Sequence, residues 1–267
     1  MSGISFAIIT SGNDEQAVNL VIDSIEREQI PDYDIMVIGG MFCNINRNNV
    51  RHIPIIDSIY NGIPLNVKKN AGARNAKCPN LVIMHDYYNL TPGWYQNVAE
   101  FGFDWDICVH KAFHNKSQGS MLGNGWRTEK IATYPEIPFA MPIPMDIECF
   151  IPYMAIQGAY WMCKTEVMLK YPMDETLLKG QLEDIEWSSK VVPGWRAEKL
   201  DQNEFKIKAN PNACVVMAKD KPFYPGNPNW FELQESFNWL WEELRAGYIR
   251  PGTWYYDSQD SQIKLSR

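Results

Sequence analysis

The first third of the chain alternates continuously apolar runs with stretches of helical period. Ile4–Ile9 is apolar except at Ser5 and stops at Thr10-Ser11-Gly12. Asn13, with Gln16 three residues on, is the expected N-cap of a helix. Ala17, Val18, Val21, Ile22 and Ile25 fall on one face of that helix, and Pro31 is expected to close it. A second apolar run, 34–38, stops at Gly39-Gly40, and a further short strand is expected near 52–56. The next helix is expected from about Asn70, carrying Ala71, Ala73 and Ala76. Leu81-Val82-Ile83-Met84 is a third strong strand and runs straight into His85-Asp86. Strands that are apolar at every position need cover on both faces, so this rhythm predicts an α/β fold with a mostly parallel sheet flanked by helices.

Beyond residue 115 the rhythm breaks. Residues 115–150 are rich in Gly, Asn, Ser and Pro; irregular stretches of that length tend to be lids or binding loops. A strand is expected over 155–163 and a helix over 182–192. After three prolines in 220–229, Trp230, Leu233, Phe237, Leu240, Trp241 and Leu244 mark an amphipathic helix. The tail after Gly252 is polar and is expected to be loosely held. No repeat or linker divides the chain, so a single domain is expected over 1–267, with a core at about 4–220 and a C-terminal helix and tail at 228–267.

Composition narrows the function. With 267 residues, 45% hydrophobic and 21% charged, the chain can bury a sizeable core. A net charge of −7 argues against a nucleic-acid partner, which needs a basic surface, but not against a nucleotide in a local pocket. The six cysteines show no Cys-x-x-Cys or zinc spacing and read as reduced core residues. There is no N-terminal signal pattern and no apolar run of the ~20 residues a membrane span needs, so a soluble, cytoplasmic protein without a membrane span is expected.

In an open parallel sheet, ligands bind outside the carboxyl ends of the strands. Three such ends are chemically distinctive. Thr10-Ser11-Gly12 lets a ligand approach the backbone, and Gly39-Gly40 leaves room for a flat ring, although each pair also fits a plain turn. His85-Asp86 places a hard oxygen ligand suited to Mg²⁺ or Mn²⁺ beside an imidazole that favours Mn²⁺; the same pair also fits an aspartate capping the following turn. Further on, Glu183-Asp184 opens a helix, where two carboxylates suit the helix dipole and where one, aimed into the crevice, suits a general base. His110 and His114 follow a strand at 106–109 and read as structural. No Gly-x-Gly-x-x-Gly or Walker phosphate loop is present, which disfavours a dinucleotide enzyme or a P-loop nucleotidyltransferase.

The ordered set of these segments resembles the family 2 glycosyltransferases of GT-A fold, with a Rossmann-like sheet. The opening strand and helix, Asn70-Ala71-Gly72-Ala73-Arg74-Asn75, the 81–94 run LVIMHDYYNLTPGW, Gln157-Gly158-Ala159 before Lys164-Thr165-Glu166, and Leu182-Glu183-Asp184-Ile185-Glu186-Trp187 are similar to that family's motifs in order and spacing over about residues 4–200. The C-terminal helix has no counterpart.

The resemblance implies a nucleotide-sugar glycosyltransferase that moves a hexose from a donor of the UDP-glucose or UDP-galactose type to a hydroxyl of a glycan or another acceptor, with inversion. It implies Mn²⁺ or Mg²⁺ as cofactor. Thr10, Ser11, Gly39, Gly40, Lys69, Asn70 and Arg74 would bind the nucleotide, and Gly158 and Ala159 would lie against the donor sugar. His85 and Asp86 would hold the metal. Asp184 would be the catalytic base, with Glu183 beside it. The family's acidic D-x-D triplet is here His85-Asp86-Tyr87, so both outer acids are missing. That departure keeps a second reading open, a non-catalytic GT-A-like module that binds a nucleotide-sugar or glycan. The acceptor site would come from 115–150 and the C-terminal segment, where Trp126, Tyr134, Trp230 and Trp254 are available.

Overall fold

The computed structural model describes residues 3–40, 47–60, 62–114, 120–122, 126–127, 156, 158–179, 183–192, 205–217, 254–257 and 262–265. In chain order the strands are β1 (Ile4–Ile9), β2 (Tyr33–Ile38), β3 (Val50–Ile53), β4 (Asn80–His85), β5 (Tyr88–Leu90), β6 (Ile107–His114), β7 (Ser120–Leu122), β8 (Trp126–Arg127), β9 (Tyr160–Lys164), β10 (Ile207–Met217), β11 (Trp254–Asp257) and β12 (Gln262–Leu265). The helices are α1 (Glu15–Glu26), α2 (Leu65–Asn75), α3 (Trp94–Phe101), α4 (Thr165–Lys170) and α5 (Glu183–Val191). The main sheet runs β3-β2-β1-β4-β9-β6-β10-β5. It is parallel through β4. Beyond that it is mixed: β9 lies antiparallel between β4 and β6, while β10 is parallel to β6.

Period-two alternation divides the core between the two faces of the sheet. Phe6 and Ile8 of β1 pack with Val18, Val21, Ile22 and Ile25 of α1 and with Trp94 of α3. Ala7 and Ile9 pack on the other side with Ala71 and Ala73 of α2 and with Trp161 and Trp187. Each large side chain buried this way contributes about 1.5–3 kcal/mol. The α2 helix lies very close to the sheet: a Cβ at Gly72 would come within 2.7 Å of the Ala7 Cβ.

Several boundaries differ from the sequence pattern. The α1 N-cap is Asp14, not Asn13, because the Asp14 carboxylate accepts from the Ala17 N–H at 2.9 Å. The α2 helix begins at Leu65, a turn before the expected start, and buries Asn66, Lys68, Lys69 and Asn70 along with its alanines. The expected 52–56 strand is Val50–Ile53, and the 155–163 strand begins at Tyr160. Cys78, Cys108 and Cys163 are free and buried, and Cys214 is half-buried. The polar tail contains an antiparallel hairpin, β11 with β12. The amphipathic segment 230–244 and most of 115–150, with Tyr134 and Trp230, lie outside the described residues. No helix among the described residues is long and apolar enough to cross a membrane.

Candidate functional site

The sheet topology brings three strand ends and one helix start to the same edge. The parallel register aligns Ile9 with Ile38 on one side and with His85 on the other, so Thr10, Gly39 and Asp86 emerge together. Because β9 is antiparallel to β4, it begins where β4 ends; Tyr160 pairs with Met84, and His85 N–H donates to the Ala159 carbonyl at 3.0 Å. That places Gly158-Ala159 alongside His85-Asp86.

Hydrogen bonds join these groups into one line. Thr10 Oγ1 donates to Asp86 Oδ2 at 2.6 Å, and Asp86 N–H donates to the Ile9 carbonyl at 3.1 Å. Gly158 N–H donates to Asp184 Oδ2 at 3.0 Å, which fixes the first turn of α5 against the start of β9. The structure therefore brings Thr10, His85, Asp86, Gly158, Ala159, Glu183 and Asp184 to one edge of the sheet. Thr10, His85, Ala159 and Glu183 are buried, while Asp86 and Asp184 are half-exposed. Ser11 is exposed.

Gly39 and Gly40 adopt left-handed backbone at φ +104 and +65. A side chain on Gly39 would overlap the Thr10 carbonyl oxygen and come within 2.9 Å of Lys68 Nζ. Lys68 explains that crowding: it is fully buried, donates to the Thr10 carbonyl at 2.8 Å and pairs with Asp57 at 2.6 Å. Lys68 and Asp57 were not singled out from the sequence. A Lys-Lys pair in a helix ordinarily marks a solvated face, and nothing local shows that both lysines turn inward.

Lys69 is also fully buried, but on the Asp184 side. Its ammonium lies 5.2 Å from the Trp161 ring centroid and has no hydrogen-bond partner among the described residues. Burial lowers its pKa, opposed by the nearby charges of Glu183 and Asp184. Tyr87 is a second interior group. Burial is the main force pushing its phenol well above the ordinary value, with Tyr88, Asp86, Asp184 and Glu183 adding to it. Tyr87 thus senses both the strand-end carboxylate and the helix-start pair.

Asn70 and Arg74 are engaged elsewhere. Asn70 donates to the Met173 carbonyl at 2.8 Å and to Glu175 Oε1 at 3.0 Å, and accepts from the Met173 N–H at 3.0 Å. Arg74 pairs with Glu175 at 2.7 Å. These two side chains tie α2 to the Met173–Glu175 turn.

His110 is structural. Trp94 Nε1 donates to Tyr160 Oη at 3.0 Å, and the Tyr160 hydroxyl also shares a hydrogen bond with His110 Nδ1 at 2.6 Å. Burial drives the His110 pKa down to about 3, which keeps the ring neutral. The side chain of His114 lies outside the described residues.

No group of three or more His, Cys, Asp or Glu side chains among the described residues could hold a divalent cation. One half-exposed carboxylate with a neighbouring imidazole fits a cation that arrives with a diphosphate, since Mg²⁺-like ions bind through one or two carboxylates, phosphate oxygens and water. It does not fit a resident structural ion.

No family model matches the sequence, and no curated protein matches it. The structure is similar to that of TarS from S. aureus, residues 1–349, in complex with UDP-GlcNAc, at 12% identity and a TM-score of 0.56, over 87% of this chain and 64% of that one. It is also similar to GalNAc-T7 with UDP, GalNAc and Mn²⁺, at 12% identity and a TM-score of 0.55, over 91% of this chain and 50% of that one. The chain spans less than two thirds of either structure's length. The likeness establishes the fold: a mixed α/β sheet flanked by helices, the GT-A glycosyltransferase fold.

Proposed function

We propose that the protein is a glycosyltransferase that moves a sugar from a UDP-sugar to an acceptor hydroxyl, with Asp184 as general base. The observation that carries this reading is the line of hydrogen bonds from Thr10 to Asp86, from His85 to Ala159 and from Gly158 to Asp184. In this reading it spaces a phosphate-side carboxylate and a helix-start carboxylate along one edge of the sheet, with Gly158-Ala159 between them. That UDP-GlcNAc is bound to TarS, and UDP, GalNAc and Mn²⁺ to GalNAc-T7, supports the choice of ligands.

In this reading the uridine and phosphates lie over Thr10, Ser11, Gly39 and Gly40. Thr10 orients the Asp86 carboxylate toward the diphosphate. A divalent cation bound there with the diphosphate would offset the charge that develops as the diphosphate departs. The sugar rests on Gly158 and Ala159, where the missing or small side chains leave room. The acceptor oxygen attacks the anomeric carbon as its proton passes to Asp184 and the bond to the diphosphate oxygen breaks. One such displacement inverts the anomeric centre. The Gly158 N–H holds Asp184 in place and strengthens its hydrogen bond when the carboxylate is charged.

A second reading, a GT-A-like module that binds a nucleotide-sugar without transfer, is favoured by one feature: Asp86 stands between His85 and Tyr87 with no second acid in the triplet. UDP release decides between them. The protein is incubated with Mn²⁺ and UDP-glucose, UDP-galactose, UDP-GlcNAc or UDP-GalNAc, together with an acceptor extract. Release that Asp184→Asn abolishes supports the transferase. Mn²⁺-dependent binding of a donor with no release supports the module, and absence of any donor binding removes both.

A further inference from the structure

Two lysines stand next to each other in α2, and only Lys68 is satisfied in the ordinary way, by the Thr10 carbonyl and the Asp57 carboxylate. Lys69 has lost all contact with water and keeps no hydrogen bond among the described residues. An ammonium in that state is costly to fold in, and an apolar side chain of similar length would pack against Trp161 at lower cost. What it faces explains its presence. A methyl group placed on Gly158 would lie 3.0 Å from Lys69 Nζ and 3.3 Å from Asp184 Oδ2. The absent side chain of Gly158 is therefore the gap across which the ammonium faces the carboxylate. Glu183, buried on the same turn, adds a second negative charge.

We propose that Lys69 is a positioning residue for Asp184: across the Gly158 gap its ammonium lies against the Glu183-Asp184 pair and holds the Asp184 carboxylate oriented. The proposal rests on the transferase reading above. It moves Lys69 out of the nucleotide site, where the sequence resemblance put it. Two carboxylates in one partly desolvated site resist being charged together, and an adjacent cation offsets that resistance. Among the described residues, the charged and titratable groups near Asp184 include Glu183 on its own helix, Lys69 from α2, and Tyr87 after β4, with His85 and Asp86 beyond Tyr87.

The test compares wild type with Lys69→Met and Lys69→Arg at saturating Mn²⁺, following kcat/KM for transfer against pH together with UDP affinity by calorimetry. In Lys69→Met the acid limb of the profile is expected to move up by about one pH unit, as loss of one neighbouring opposite charge implies. Activity then falls ~10-fold at the foot of the limb and far less on the plateau, while UDP affinity stays within about twofold and Lys69→Arg keeps the wild-type limb. An unmoved limb with a uniform loss at every pH, or a tenfold loss of UDP affinity, overturns the proposal. Lys69→Gln replaces Lys69→Met if the latter does not fold.

If wild type transfers no sugar from any donor, the transferase reading fails separately. The Lys69–Asp184 coupling is then decided by the urea midpoints of Lys69→Met, Asp184→Asn and the double variant. A double-variant midpoint close to that of Lys69→Met alone supports the coupling; additive shifts overturn it.

Discussion

Thr10 Oγ1 donates to Asp86 Oδ2 at 2.6 Å, although the two residues lie 76 positions apart. The parallel pairing of β1 with β4 makes this contact, because Ile9 stands opposite His85 and each strand ends one residue later at its functional group. The threonine hydroxyl also accepts from the Gly12 N–H at 3.0 Å, so one side chain sets both the loop after β1 and the carboxylate beside it.

Replacing that hydroxyl by a methyl should misorient the carboxylate without opening the core. Thr10→Val is expected to weaken Mn²⁺-dependent UDP binding about 10- to 100-fold, the usual effect of removing a group that orients a metal ligand. Thr10→Ser should restore most of it. Calorimetric titrations of UDP with and without Mn²⁺ measure the effect.

Gly39→Ala should destabilise the fold. The left-handed backbone disfavours any side chain by about 1–2 kcal/mol. Overlap with the Thr10 carbonyl adds about 1–3 kcal/mol. A loss of at least ~2 kcal/mol in urea unfolding is expected, and an unchanged midpoint would mean that the turn relaxes freely.

Asn70→Ala should act on stability and not on ligand affinity. It strands the Met173 N–H and carbonyl, both satisfied by Asn70. Leaving buried backbone groups unpaired typically costs about 1–3 kcal/mol. Unfolding curves should show that loss while UDP affinity stays near wild type.

His110 gives a pH dependence with a definite sign. Its imidazole is held neutral down to about pH 3 in the folded chain, whereas the unfolded ring takes a proton near pH 6.5, its ordinary value. Between these values the unfolded state binds the additional proton. This contribution to stability is therefore present at neutral pH and is lost as pH falls below about 6.5, by up to ~1.4 kcal/mol per pH unit. The difference between wild type and His110→Phe in urea unfolding at pH 5 and pH 7 isolates it. His110→Phe should show the shallower decline.

The sheet's first half was legible because continuous apolar runs such as Ile4–Ile9 have one simple explanation, burial on both faces. The start of α2 was not, because the buried side of that helix is polar. Lys68 and Asn70 are partnered by residues far away in the chain, Lys69 lies near the charges of Glu183 and Asp184, and no local spacing reveals that. For the same reason the bonds of Asn70 and Arg74 to the Met173–Glu175 turn could not be read from the chain. The carboxylates were legible from position alone: Asp86 ends a strand and Asp184 starts a helix. That Gly158-Ala159 lies beside His85 depends on β9 running antiparallel beside β4, which no single motif encodes.

Anomalous scattering from Mn²⁺ in crystals of Asp184→Asn with a UDP-sugar tests most directly whether Asp86 and Asp184 share one substrate. The expected result is a manganese peak at Asp86, the diphosphate beside Thr10, and the sugar over Gly158 with its anomeric carbon within reach of residue 184. A manganese peak away from Asp86, or a nucleotide bound on another edge of the sheet, would contradict it.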